Sequence, residues 1–323
     1  MNTIDSTHSD PQTYIGHQFA VEDEATGEQL GVIHVEHDLF IAVGASPPSR
    51  GEEDHLEHLE EDVRQLLLGE WENKKRTTRT FTPMGFAKDK LPRDIWASMS
   101  AYYHNNRNNR IVEDFSYDIL INWWTSESYL ITMPPNLRRY WQGRLKELVE
   151  TWSGVSLELQ DIYGIRRYEE GARLLMHVDR IHTHAASIII NVRQDNVHKP
   201  WPVQIYDFAD RLHQVDMEPG EILYYESARC LHGRMTPLHG EGYVNIFAHY
   251  RPIDEGETEG KPDWYKAPNP PGTPEPLLHS EKFCNIAYSA HAAVCDAELA
   301  QRPFAQASSG DDLFELWRYS GQQ

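Results

Sequence analysis

The chain has 323 residues, 40% hydrophobic and 25% charged, enough to bury a sizeable core in one large or two modest domains of an ordinary soluble protein. Fifty acidic against thirty basic side chains leave a formal charge of −20, which repels phosphate backbones and argues against nucleic acid as a partner. No apolar run reaches the roughly 18–20 residues that span a bilayer, the opening "MNTIDSTHSDPQTY" lacks the basic and apolar regions of a secretory signal, and three cysteines (Cys230, Cys284, Cys295) form no CxxC pair; the expectation is a cytoplasmic protein with no membrane contact, no disulfide framework and no structural zinc.

Residues 1–13 read as a disordered tail, and 14–154 as N-terminal strands and supporting helices. Within "QLGVIHVEHDLFIAV", apolar and polar residues alternate often enough for a short strand pair between Tyr14 and Val43. "SPPSRGEEDHLEHLEEDVRQLLLGEW" then gives a Pro/Gly break followed by an amphipathic helix on Leu56, Leu59, Val63, Leu66 and Leu67. Its acids gather near the N-terminus, where the helix dipole favours them. Residues 91–110 start at Pro92 and carry Ile95, Met99, Tyr102 and Tyr103 at helical spacing. A further helix is expected over 136–154, ending at Gly154. Between these two, "DILINWWTSESYLITMPP" reads as strand and loop.

From residue 155 the texture changes to short β-rich runs: "SLELQDIYGIRRYEEG", "ARLLMHVD", "HAASIIINVRQD", "WPVQIYDFAD", "EILYYES" and "YVNIFAHYRP". Turn signals at Gly171, "DNVHKP", "EPGE" and "LHGEG" separate them. Short strands at this spacing predict a sandwich or barrel, with 155–253 as the core. Residues 254–323 read as a Pro/Gly-rich arm followed by one or two helices.

Within "LMHVDR", His177 and Asp179 are two apart on an expected strand, so both side chains share a face. His232 follows a second strand, "EILYYES". Two histidines and one carboxylate from two strands are what a facial triad needs: three protein ligands on one side of an octahedral Fe(II), three positions open. An HxD pair alone means little, since a strand histidine is more often a hydrogen-bonded structural residue.

The flanking residues carry a resemblance. "RRYEEGARLLMHVDR" is similar to the pattern Y-x-x-G-x-x-L/Y-x-x-H-x-D of prolyl 4-hydroxylase-like Fe(II)/2-oxoglutarate-dependent dioxygenases, with Tyr168, Gly171, His177 and Asp179 in register. "MEPGEILYYESARCLHGRMTP" resembles the same family's second signature, a Pro-Gly turn, an apolar strand and a distal histidine followed by a proline. The resemblance implies a mainly β fold, a double-stranded β-helix (a jelly-roll, cupin-like core) buttressed by α-helices. It implies His177, Asp179 and His232 as catalytic metal ligands for Fe(II), with 2-oxoglutarate and O2 as co-substrates. The implied reaction is hydroxylation of an unactivated C–H bond in a small molecule, amino acid or peptidyl residue, coupled to decarboxylation of 2-oxoglutarate to succinate. The retained Asp179 argues against halogenation.

One departure stands out. The family commonly carries a Lys or Arg about ten residues after the distal histidine, to pair with the far carboxylate of 2-oxoglutarate; here those positions are Glu241, Gly242 and Tyr243. A buried carboxylate needs a partner. Arg234 is the first candidate, with Arg193 and His249 as alternatives, and Tyr168 matches the family's co-substrate tyrosine. Without such a cation, the chain would be a catalytically inactive β-barrel binding protein or an Fe(II) dioxygenase that does not use 2-oxoglutarate. Among the other histidines, a bend after Arg180 is expected to carry His182 and His184 towards the mouth, and His198, His213 and His239 are expected in exposed turns. Trp123, Trp124 and Trp201 read as core aromatics.

Overall fold

The computed structural model describes residues 2–3, 18–22, 29–34, 53–113, 126–253, 263–276, 283–286, 293–296 and 306–321. The chain divides into two compact units, Met1–Ser49 and Arg50–Gln323. In the first, β1 (Asn2–Thr3) pairs parallel with β2 (Gln18–Glu22), which pairs antiparallel with β3 (Gln29–His34). The hairpin falls inside the stretch expected to form a strand pair. Residues 4–13 of the expected tail, and Trp123 and Trp124, lie outside the described residues.

The second unit opens with α1 (Glu53–Lys74), β4 (Phe86–Lys90), α2 (Arg93–Asn106), β5 (Ile111–Val112), β6 (Ser128–Ile131) and α3 (Pro135–Ser153). Proline at the first turn and Gly154 at φ 72° delimit α3, because proline loses nothing at a helix start and glycine adopts the left-handed closing conformation freely. Strands β7 (Leu157–Asp161), β8 (Ile165–Tyr168), β9 (Leu174–His177), β10 (Ala186–Asp195), β11 (Val203–Tyr206), β12 (Leu212–Val215), β13 (Glu221–Tyr225), β14 (His232–Arg234) and β15 (Gly242–Pro252) follow. A hairpin of β16 (Phe283–Ile286) and β17 (Ala293–Asp296) and the helix α4 (Gly310–Ser320) complete the described elements.

Two sheets form the core. The larger runs β4–β13–β10–β15–β8–β6–β5, with β7 also on β15, and the smaller runs β12–β11–β14–β9. From β8 to β15 the chain passes back and forth between them, so β8, β10, β13 and β15 alternate with β9, the β11–β12 hairpin and β14. That strand order is a double-stranded β-helix, as expected. On β10, Ile188 and Ile190 pack with Ile95 and Met99 of α2 and with Trp141, Leu145 and Val149 of α3. Ile189 points the other way and meets Val203, Ile205 and Leu223 between the sheets. Both faces of these strands are buried, so apolar residues fill successive positions and no hydrophobic alternation shows in the sequence.

Two local outcomes differ from the sequence reading. "SLELQDIYGIRRYEEG" is two strands rather than one, both pairing with β15. The break is Gly164, at φ 157° and so close to β6 that a Cβ would lie 2.9 Å from the Ile131 carbonyl oxygen. The segment "FAKDK" forms β4, an edge strand on β13. Two apolar residues in five give it no pattern, and its pairing comes from its partner. On the smaller sheet, α1 and α4 pack together with β9 through Val63, Leu67, Met176, Leu313 and Trp317. No helix among the described residues is long and apolar enough to cross a membrane.

At the end of β13, Glu226 accepts hydrogen bonds from Phe81 N (3.1 Å), Thr82 N (2.8 Å) and Thr82 Oγ1 (2.6 Å). Complete burial pushes its carboxyl up to about 7 despite these donors. An unfolded glutamate, titrating near 4.5, releases its proton while the folded protein still holds it. Between pH 4.5 and 7 the unfolded state therefore binds fewer protons, and stability falls as pH rises. The loss attributable to this group is at most about 3 kcal/mol. Melting temperatures of Glu226→Gln measured from pH 5 to 8 are expected to lack this decline; an unchanged slope would reject the assignment.

Candidate metal centre

Strands β9 and β14 are neighbours in the smaller sheet, and their register sets His177 opposite His232. The ring centroids are 4.3 Å apart. Each Nδ1 meets a main-chain carbonyl two residues earlier, His177 at Leu175 O (2.7 Å) and His232 at Cys230 O (2.9 Å). A carbonyl only accepts, so each Nδ1 donates and each Nε2 keeps its lone pair. Asp179 follows β9 and places Oδ1 3.7 Å from both Nε2 atoms. These three ligand atoms, all within 4.8 Å of one another, form the one cluster of three or more such groups among the described residues.

The backbone of the Asp179 segment is fixed from two sides. Val178 N donates to Glu70 Oε2 of α1 at 2.9 Å, and Asp179 N donates to Ser227 O at 2.8 Å. The electrostatics suit a divalent cation. Burial, reinforced by the neighbouring His232, lowers His177 to about 3, and burial likewise lowers His232. Burial would raise the Asp179 carboxyl, but its hydrogen bond and charge interaction with His249 hold it well below the usual carboxylate range. Two neutral imidazoles and one carboxylate are the protonation states that metal binding requires, with no proton to displace. The Tyr225 ring lies edge-on to His232 with centroids 4.6 Å apart, and its hydroxyl is pushed well up by burial and by Asp179 and stays protonated.

Arg234 lies two residues beyond His232, about 7 Å along the strand, and is 3% exposed. Its guanidinium lies over both the Trp201 and Tyr243 rings, 4.2 and 4.5 Å away, in the angle these two edge-to-face rings make with each other. Nη1 donates to Trp201 O and Nη2 has no partner. No carboxylate pairs with it among the described residues. Tyr168 packs edge-on to Trp201 in the same cluster. Its hydroxyl interacts electrostatically with the Arg166 guanidinium but makes no well-formed hydrogen bond. Asn245, between the helix-facing Val244 and Ile246 of β15, leaves Oδ1 and Nδ2 unmatched, and its cross-strand neighbour Asn191 leaves Oδ1 unmatched.

The other candidates fall elsewhere. Arg193 is half exposed on a β10 bulge and pairs with Asp195 at 2.5 Å. His249 lies at the candidate centre itself, 3.4 Å from Asp179 Oδ2. The bend after Arg180 turns His184 onto His249, with ring centroids 4.0 Å apart, and His182 against Tyr265. Of the histidines expected in exposed turns, His213 is instead buried on β12, its Nε2 2.9 Å from Asp207 Oδ2. The carboxylate supplied a partner that the turn-like sequence did not reveal. Sequence reasoning passed over Arg166, which shares the parity of Tyr168 and is held by Glu113 through Nε at 2.7 Å. It also passed over Ser187 and Ser227, polar residues in buried surroundings, which was the one available signal.

A double-stranded β-helix with two imidazole Nε2 atoms and a carboxylate oxygen converging at the ends of two paired strands defines the class of protein: a cupin-like barrel with a candidate facial-triad metal centre. No family model and no curated relative matches the sequence. Among solved structures the chain is similar to a prolyl-4-hydroxylase of Pseudomonas putida, with 14% identity and TM-score 0.41 over 58% of this chain and 100% of that one. It is also similar to SnoN, a non-heme alpha-ketoglutarate-dependent epimerase from nogalamycin biosynthesis, with 12% identity and TM-score 0.41 over 58% and 83%. A third is HygX from Streptomyces hygroscopicus with nickel and 2-oxoglutarate bound, at 13% identity and TM-score 0.39 over 53% and 84%.

Proposed function

We propose that this chain is an Fe(II)- and 2-oxoglutarate-dependent oxygenase that hydroxylates an unactivated C–H bond in a small molecule, an amino acid or a peptidyl residue. In this reading His177, Asp179 and His232 hold the iron, and Tyr168 and Arg234 hold 2-oxoglutarate. The donor set suits Fe(II), since imidazole and carboxylate are ligands it accepts and three ligands on one side leave positions open. The observation that carries the co-substrate is Arg234. A buried guanidinium without a counter-charge is costly, and here it lies two residues along β14 from His232, with the unmatched Tyr168 hydroxyl and Asn245 amide on β8 and β15 of the other sheet. A dicarboxylate that chelates the metal at one end and meets Arg234 at the other would supply the missing charge.

Bound iron and 2-oxoglutarate would supply O2 activation driven by decarboxylation to succinate and CO2. The protein's part is to hold and orient. The Nδ1–H bonds to Leu175 and Cys230 fix both rings with Nε2 forward. The Val178 and Asp179 amides fix the carboxylate's backbone, and the contacts of Arg234 with the Trp201 and Tyr243 rings would fix where a second carboxylate ends. The test is anaerobic titration of 2-oxoglutarate into Fe(II)-loaded protein, followed by exposure to O2. A weak visible charge-transfer band and 2-oxoglutarate-dependent succinate are expected. Iron binding without band or succinate would favour an Fe(II) dioxygenase that does not use 2-oxoglutarate, and no iron binding would favour a binding protein.

A further inference from the structure

We infer that His249, acting with Ser187 and Ser227, is a positioning residue that clamps the outer oxygen of Asp179 and so leaves Oδ1 alone to face a metal. The inference rests on the reading of Asp179 as a metal ligand and adds a role for three residues outside the triad. Asp179 Oδ2 has two neighbours, Ser187 Oγ at 3.3 Å and His249 Nδ1 at 3.4 Å. Those two are 2.8 Å apart. Ser187 Oγ also lies 2.6 Å from Ser227 Oγ, which donates to His184 O at 3.0 Å.

Counting protons orders this network. The His184 carbonyl only accepts, so the Ser227 hydroxyl spends its hydrogen there. The single Ser187 hydrogen is then shared between Ser227 Oγ at 2.6 Å and Asp179 Oδ2, to which it donates at 3.3 Å. The second donor facing Oδ2 is the Nδ1–H of His249, shared between Ser187 Oγ and the carboxylate. His249 therefore supplies the donor that keeps Oδ2 turned away from the histidine pair. Its ring is held on two sides, stacked on His184 at 4.0 Å and met edge-on by Tyr163 at 5.7 Å. Ser187 and Ser227 are fully buried and His249 nearly so, so no bulk water stands ready to replace the lost donor. Without the clamp the carboxylate can rotate, either away from the metal or into two-oxygen chelation that takes up a position needed by a co-substrate. Partners that orient metal-binding carboxylates and imidazoles are typically worth about 10–100-fold in metal affinity.

The experiment measures Mn(II) affinity, from free Mn(II) by electron paramagnetic resonance, and the visible spectrum of the Co(II)-loaded protein. The proteins compared are the unaltered chain, His249→Ala, His249→Asn and Ser187→Ala. His249→Ala is expected to bind Mn(II) about 10–100-fold more weakly and to shift the Co(II) bands as the carboxylate changes its mode of binding. His249→Asn restores an N–H donor near the Nδ1 position and is expected to recover most of the affinity and the original spectrum, which a purely space-filling role would not produce. Ser187→Ala is expected to lose affinity in the same direction, and carries the test should His249→Ala fail to fold. Unaltered affinity and spectrum in His249→Ala, or in Ser187→Ala where it alone folds, overturn the clamp while leaving the triad intact. Absence of Mn(II) and Co(II) binding by the unaltered chain overturns the metal reading itself, and the clamp with it.

Discussion

Asp179→Ala is expected to abolish 2-oxoglutarate-dependent succinate formation and to weaken divalent-metal binding by more than about 100-fold, beyond the 10–100-fold typical of outer partners. The reason is charge as much as geometry. Asp179 contributes the one negative charge of the triad, Oδ1 lies 3.7 Å from both Nε2 atoms, and two neutral imidazoles cannot offset a desolvated dication. The fold is expected to survive, because a buried carboxylate carries a desolvation cost that alanine does not. Calorimetric Mn(II) titration and mass-spectrometric detection of succinate are the measurements, with the melting temperature of the metal-free protein as control. Retained turnover would sink the triad assignment.

Arg234→Met should separate co-substrate binding from metal binding. Losing the partner of a buried carboxylate costs about 2–5 kcal/mol, which corresponds to at least about a 30-fold rise in KM for 2-oxoglutarate. Mn(II) affinity is expected to stay unchanged, since the side chain is directed to Trp201 and Tyr243 rather than to the triad. Thermal stability of the unliganded protein is expected to hold or rise, because an unpaired guanidinium has been replaced by an apolar chain of similar length. Arg234→Lys keeps the charge but not the planar guanidinium, and is expected to fall between. An unchanged KM would move the anchor to Arg166, whose charge is already met by Glu113.

Much of the candidate site was legible because it is local. The His177–Asp179 spacing matches the strand period, and His232 with Arg234 repeats it on β14. The clamp was not legible, because Ser187, Ser227 and His249 come from β10, the loop after β13 and β15, and only strand register brings them to Asp179. His249 shares parity with Tyr243, Asn245 and Phe247, but parity does not say which end of the barrel a residue occupies. Helices α2 and α3 were readable to within a few residues of their ends, since both carry a one-sided apolar stripe and α3 stops at Gly154. The edge strand β4 was not, because its conformation is set by β13 rather than by its own composition.

The hydrogen bond from Val178 to Glu70 links a peptide unit between two of the candidate ligands to a helix outside the barrel. That carboxyl is raised by burial, so it makes the bond at the expense of its own hydration. Undocking α1 would free the main chain between His177 and Asp179. By mass action, whatever binds that segment only in its docked arrangement must favour the docked helix by the same free energy. Occupancy of the centre and protection of the α1 amides against exchange are then two readings of one equilibrium, joined through a single N–H.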